Sequence, residues 1–257
     1  MELRDAAASL GVHYQTAYGW VRKGTLPARK TPRGYEISES DVRALAEFRA
    51  GGAAPREEIR VRDWAAQADG LYSALVVGED ARARHLFERL SPGVPLIDVC
   101  DLIIAPALRR IGLDWAAGRV SVAVEHRATA ICEQLIGSHA RQPQGRPHGT
   151  AVTATPPGEH HALPALMAAA VLREDRWRVH HLGTDLPVAD LIEFARSVDA
   201  DLVVLSAVSL GTVHLAAAAD REILAELPGV RVAVGRPGAT LRQLRELARD
   251  AAAERKP

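Results

Sequence analysis

The stretch GTAVTATPPGEHHALPALMAAAVLRE, residues 149–174, decides the architecture of the second half of the chain. It passes from a β-branched run, GTAVTAT, through a Pro-Gly loop into the helical run ALPALMAAAVLRE. The same alternation then returns: WRVHHLG and VADLIEFARS, ADLVVLS and AAAADREILAEL, VRVAVG and ATLRQLRELARD. Strand and helix in strict alternation predict a Rossmann-like (flavodoxin-like) parallel sheet over 149–257, with helices on both faces. Such sheets take ligands at the carboxyl ends of their strands. Glu159, His160 and His161 stand at the first of those ends. An imidazole there can ligate a metal, and a carboxylate can orient the ring. A polar loop on an unliganded sheet is the competing reading of these residues. Ser206 offers a small hydroxyl after the third strand, and Gly235 lets backbone approach a ligand after the fourth. Asp185, after the second, either touches a ligand or caps the next helix.

Upstream, residues 59–140 read as helices only, broken near Gly78, at SPGVP from Ser91 and at AAGRVS from Ala116. Four helices on short turns predict a helical bundle. Within it lies DWAAGRVSVAVEH, residues 114–126. Gly118 is suited to stop one helix and Ser121 to cap the next. Trp115 then ends a helix, Glu125 and His126 sit about one turn into its successor, and a tight turn brings all three to one end of the bundle. A Trp that covers core beside a solvated Glu-His pair is the plainer alternative. Residues 50–58 and 141–148, rich in Pro and Gly, are linkers on either side.

Residues 1–49 carry helix, Gly-Val turn, helix and basic loop, the spacing of a winged helix-turn-helix. The second helix offers Tyr14, Gln15, Thr16 and Tyr18 from the end that enters the major groove in this motif. Between Arg22 and Arg33 stand five basic residues and no acid, a strip suited to phosphates. Arg22 and Lys23 belong to that strip. TPRGYEI reads as a hairpin wing with Arg33 at its tip and Tyr35 on its flank. Double-stranded DNA is the partner this implies.

Lys+Arg and Asp+Glu both number 32 in 257 residues, so charge acts locally rather than through the whole chain. Two cysteines, Cys100 and Cys132, lie in apolar helical runs and read as buried free thiols of a reducing compartment. No apolar run approaches the ~20 residues of a membrane span, and the expected location is the cytoplasm. His139, His148, His180, His181 and His214 show no zinc spacing. Arg109 and Arg110 read as solvated charges on the bundle, with oligomer salt bridges as the alternative.

The order of helix-turn-helix, four-helix bundle and α/β sheet resembles the CarH/LitR group of cobalamin-dependent, light-responsive MerR-type repressors. Trp115, nine residues, then Glu125-His126 is similar to that group's W-x9-E-H motif. Glu159-x-His161 is similar to the E-x-H part of its cobalamin loop, and HHLGTDLP from His180 to the segment after its second strand. The resemblance implies that Trp115, Glu125 and His126 cover the upper face of adenosylcobalamin and that His161 is the lower axial ligand to cobalt. Ser206 and Gly235 would complete the cofactor-binding set. It also implies a photoreceptor repressor; an enzyme using cobalamin for methyl or radical transfer is not expected, because the N-terminal reader argues against it and no substrate-binding barrel or second catalytic domain is evident. In that group the adenosyl form promotes a homo-oligomer (dimer or tetramer) on an operator in the dark, and light releases the DNA.

Four departures stand against the pattern. Pro164 replaces the Gly of E-x-H-x-x-G, Arg236 replaces the second of a Gly pair after the fourth strand, and Ala116 replaces a histidine that ligates cobalt after photolysis in light sensors of the group. The usual fifth strand and last helix are not evident after the ATLRQLRELARD run, so a four-stranded sheet is expected. The milder Ser206-Ala207-Val208 stands where the group has Ser-x-Leu or Ser-x-Thr. These changes keep open a second reading: a MerR-type regulator whose domain takes another tetrapyrrole or a small molecule, or serves only oligomerisation or partner binding.

Overall fold

The computed structural model describes residues 1–22, 26–31, 34–50, 63–90, 94–139 and 145–254. The chain divides into two units, Met1–Arg62 and Asp63–Pro257. In the first, α1 (Leu3–Ser9) and α2 (Tyr14–Arg22) precede a two-stranded hairpin, β1 (Arg29–Thr31) and β2 (Gly34–Glu36), and α3 (Glu39–Ala50). Gly11 turns the chain between α1 and α2 at φ +63°, a conformation that costs residues with a Cβ. Ala17 on α2 is fully buried, and Leu3, Leu26, Ile37 and Val42 close a small core around it. The hairpin pairs antiparallel with Arg29 opposite Glu36, as a wing would. Its expected tip, Arg33, and the adjoining Lys23 lie outside the described residues.

The second unit opens with the bundle: α4 (Trp64–Val77), α5 (Asp80–Leu90), α6 (Leu96–Val99), α7 (Ala105–Ala116) and α8 (Val122–His139). Asp63 caps α4 by accepting from the Ala66 N–H at 2.9 Å. Gly78 ends it in the left-handed conformation at φ +86°. The spacing predicts one helix from 96 to 116. The backbone instead widens into a π-helical turn over Cys100–Ile104 between α6 and α7. Pro106 explains the widening: it has no N–H for the Leu102 carbonyl, and its ring presses on that carbonyl. Ile103, Ile104 and Ile111 are fully buried here. Burying each contributes about 2–3 kcal/mol. Both cysteines are buried and free, as expected. Burial pushes the Cys132 thiol up to about 12 and the Cys100 thiol further still.

The sheet follows: β3 (Thr150–Ala154), α9 (Ala162–Glu174), β4 (Arg178–His181), α10 (Val188–Ser197), β5 (Leu202–Ser206), α11 (Val213–Glu226), β6 (Arg231–Gly235) and α12 (Leu241–Glu254). The strand order is β4-β3-β5-β6 and every pairing is parallel. The central strands β3 and β5 are buried along their whole length, which is why they read as unbroken apolar runs. Ala168, Ala169 and Leu172 of α9 pack one face with Ala248 and Ala251 of α12. Leu191, Ile192 and Ala195 of α10 pack the other face with Ala219 and Ile223 of α11. The four-stranded sheet agrees with the sequence reading, and α12 is the helix of the ATLRQLRELARD run. Leu163, Met167, Ala170 and Val171 of α9 also join the core of the bundle. One helix therefore serves two cores and fastens the bundle to the sheet. Asp101 of the π turn adds a polar tie, accepting from the N–H groups of Leu241 and Arg242 at 3.0 and 3.2 Å at the start of α12.

Candidate functional site

The chain order reverses between β3 and β5, so a crevice opens at their carboxyl ends. Glu159 and His161, in the loop between β3 and α9, occupy it. Glu159 is fully buried. One carboxylate oxygen accepts from the Thr212 hydroxyl at 2.6 Å and from the backbone N–H groups of Ser209 and Val208 at 2.9 and 3.0 Å. The other accepts from the His161 N–H at 3.1 Å and the Ser209 hydroxyl at 3.3 Å, and meets His161 Nδ1 at 2.5 Å. Burial alone would raise the pKa of a carboxyl group. Here the bonds from Thr212, Ser209 and His161 prevail and hold Glu159 down at about 2. The carboxylate thus joins the loops that follow β3 and β5 across the switch point.

The loop carrying Glu159 is itself tied down. The Thr155 hydroxyl donates to the Glu159 carbonyl at 2.5 Å and accepts from the Asp185 N–H at 2.9 Å. The Gly158 N–H donates to the Asp185 carboxylate at 2.7 Å. Asp185 is thus a clamp on this loop and not the cap expected for the next helix, whose N-terminal boundary is Pro187 with no side-chain cap. His161 stands at the N-terminal boundary of α9 with its side chain 60 % exposed. With Nδ1 turned to Glu159, Nε2 is the nitrogen left for a ligand. His160 beside it is exposed.

Beside this platform a cavity of about 250 Å³ lies between α9, α12 and the ends of β5 and β6. Pro164, Met167, Val204, Ser206, Gly235 and Arg236 are among its lining residues. A Cβ built on Gly235 would meet its nearest neighbours at 3.6–3.7 Å, an ordinary contact. Neither crowding nor a left-handed backbone demands glycine there; what a side chain would take is space at the cavity wall. Pro164 and Arg236, the two departures, share that wall.

The predicted lid residues lie on α7 and α8. Trp115 is 51 % exposed in the last turn of α7. Gly118 turns the chain at φ +70°, and the Val124 N–H donates to the Ser121 hydroxyl at 3.3 Å, so both turn residues do what their positions predict. Glu125 accepts from the Thr129 hydroxyl at 3.2 Å and lies 3.6 Å from His126 Nε2, whose side chain is exposed.

In the first unit Tyr14, Gln15 and Thr16 are exposed at the start of α2. Tyr14 stacks on Tyr18 with ring centroids 6.3 Å apart, and Tyr18 meets Tyr35 of the wing edge-on at 5.9 Å. This aromatic run ties the wing to the helix. Among the described residues no three His, Cys, Asp or Glu side chains group as a metal site. Two of the other histidines have structural places: His181 Nδ1 meets the Thr153 hydroxyl at 3.0 Å, and His180 packs on Phe194. Arg110, expected as a solvated charge, pairs with Asp69 at 2.7 Å and lies over the Tyr72 ring. Sequence reasoning missed Ser209 and Thr212. Their only signal is a pair of hydroxyls, three residues apart, just after a strand.

These elements define a class: a winged helix-turn-helix, then a helical bundle and a parallel sheet with a Glu-His pair at its switch point. Comparison with known proteins agrees. Residues 1–50 match a helix-turn-helix domain, and residues 67–138 and 149–254 match two families each described as a B12 binding domain. The chain is 26 % identical over 235 residues to the HTH-type transcriptional repressor CarH of Myxococcus xanthus, covering 79 % of this chain and 77 % of that protein. It is 35 % identical over 108 residues to the repressor CarA of the same organism, covering 42 % of this chain and 36 % of that one. The Methanosarcina barkeri monomethylamine corrinoid protein shares the fold at a TM-score of 0.54 and 19 % identity, over 74 % of this chain and 97 % of that one. The chain is therefore CarH-like: a helix-turn-helix domain joined to the helical and parallel-sheet parts of a B12 binding module.

Proposed function

We propose that the protein is a transcription regulator, not an enzyme, whose operator affinity and self-association are set by a cobalamin held between the bundle and the sheet. The observation that carries this is a fully buried carboxylate committed to orienting one exposed imidazole at the switch point. The donor set fits the group: His161 Nε2 for cobalt, a cavity for a nucleotide tail beside it, and Gly235 without a side chain at that cavity's wall. When bound, cobalamin would supply a cobalt ion able to take an imidazole and to carry a removable group. His161 would hold the cobalt, Glu159 would orient the imidazole, and Trp115, Glu125 and His126 would cover the cofactor. A ligand that favours one assembly would shift the population toward it, and its removal or alteration, by light or otherwise, would shift it back. Tyr14, Gln15, Thr16 and Tyr18 would face the major groove of a double-stranded operator, with Arg22, Lys23, Arg33 and Tyr35 on phosphates. Such a regulator works in the cytoplasm; among the described residues no helix is long and apolar enough to cross a membrane.

Incubation with adenosylcobalamin in the dark, desalting, and recording of absorption and solution mass before and after green light test this reading. Retained corrin with a light-dependent mass is the expected result, and His161→Ala should lose retention while the apo protein keeps its DNA affinity. A second reading rests on Pro164 and Arg236, which both line the cavity. On that reading the module binds another tetrapyrrole or a small molecule, and the desalted protein is colourless yet binds DNA.

A further inference from the structure

Among the described residues, the bundle buries one charged or polar side chain. Asp114, the residue before Trp115, is buried inside the end of α7. Its carboxylate accepts from the Tyr72 hydroxyl of α4 at 2.6 Å and from Arg119 Nε of the following turn at 2.7 Å. Its carbonyl accepts from the Arg119 N–H at 2.8 Å. Arg110, one helical turn earlier, lies 3.9 Å over the Tyr72 ring and pairs with Asp69. One carboxylate therefore joins α4, the end of α7 and the turn that leads into α8.

A buried carboxylate is costly to desolvate, and an apolar residue would close the same gap between helices more cheaply. What the carboxylate adds is direction. Helical residues advance about 100° each, so a side chain fixed inward at 114 turns the next one outward. Trp115 is that residue, and it is half exposed. The same hub sets the turn from which Glu125 and His126 start.

We propose that Asp114, with Tyr72 and Arg119, is the positioning hub of the lid and makes the site discriminate corrinoids by the size of their upper group. This rests on the cobalamin reading above. None of the three residues touches the ligand; each acts by fixing where Trp115, Glu125 and His126 stand. A buried, fully satisfied polar network specifies one geometry where apolar packing tolerates several. Loosening the hub therefore harms a ligand whose upper group must fit the lid and spares one that leaves the lid unfilled.

The test uses the full chain and two cobalamins that share corrin and tail, adenosylcobalamin and hydroxocobalamin. Dissociation constants are measured in the dark by equilibrium dialysis with absorbance detection. Tyr72→Phe removes one hydroxyl and leaves Asp114 its Arg119 partner, so it keeps the test alive where Asp114→Asn fails to fold. Tyr72→Phe should weaken adenosylcobalamin about tenfold and hydroxocobalamin by less than about twofold. Arg119→Lys, which keeps the charge, should lose less than Arg119→Ala. Equal weakening of both cobalamins would reduce the hub to general packing and overturn the proposal, as would no change in either. A wild-type protein that retains neither cobalamin overturns the cobalamin reading itself, a result distinct from either of those.

Discussion

The floor and the lid of the candidate site are built in opposite ways. On the floor, Glu159 is buried and every bond it makes lies inside the site, so His161 is oriented before any ligand arrives. On the proposed lid, Trp115 and His126 are exposed, Glu125 meets only Thr129 and His126 among the described residues, and the buried bonds next to Trp115 are those of Asp114. The contrast separates two requirements. A metal ligand gains most from a fixed ring and a fixed tautomer. A lid that must answer to what the ligand carries gains from contacting groups not yet committed to protein partners. The proposed floor is preorganised, and the proposed lid is left exposed.

The largest effect should come from breaking the floor. Glu159→Ala strands the half-buried N–H groups of Val208 and Ser209 and leaves the Thr212 hydroxyl only the Ser209 carbonyl, and should cost on the order of 3 kcal/mol in urea unfolding as well as corrin retention. A stability loss confined to a few tenths would show that the loops hold together without the carboxylate. The corresponding cut in the lid, Trp115→Ala, should change stability by less than about 1 kcal/mol because half the ring is already in water, while adenosylcobalamin binding falls. If Trp115→Ala proves as destabilising as Glu159→Ala, the contrast between the two faces collapses.

Acid offers a subtler probe of the lid's support. The Tyr72 hydroxyl and then Arg119 hold the Asp114 carboxyl below its ordinary value. A carboxylate lowered on folding stabilises the fold above its unfolded value, and that contribution disappears as pH falls through the lowered one. The thermal midpoint of the wild type should therefore drop more steeply than that of Asp114→Asn as pH is taken below about 4. Parallel curves would remove Asp114 from the acid response. The smallest effect on stability belongs to Gly235→Ala. Its new methyl meets only ordinary contacts, so the melting temperature should hold while corrin affinity falls. Unchanged affinity would show that the ligand keeps clear of that wall.

Much of the site is legible in the amino-acid sequence. Glu159, His161, Ser206 and Gly235 follow strands or end them, and strand ends are where an open parallel sheet keeps its chemistry. Trp115, Glu125 and His126 can be placed at one end of the bundle because Gly118 and Ser121 mark a stop and a start. Ser209 and Thr212 are not legible as partners of Glu159, since the bond from Thr212 spans 53 positions and nothing local announces it. The π turn before Pro106 escapes for another reason: the apolar spacing of residues 96–116 suits an uninterrupted helix, and only the proline's missing donor betrays the break.

By itself the sequence determined the order of the parts, the alternation of strand and helix, and the residues standing at strand ends and helix stops. Those features depend on neighbours a few positions away, where periodicity, capping and turn preference act. Tertiary structure decided which side chains those residues meet. Tyr72 finds Asp114 across 42 positions, Asp101 finds the start of α12 across 140, and α9 joins two cores at once. Such partnerships arise because packing α4 on α7, and the bundle on α9, brings buried polar groups within reach of one another, and a buried polar group must find a partner there or go without.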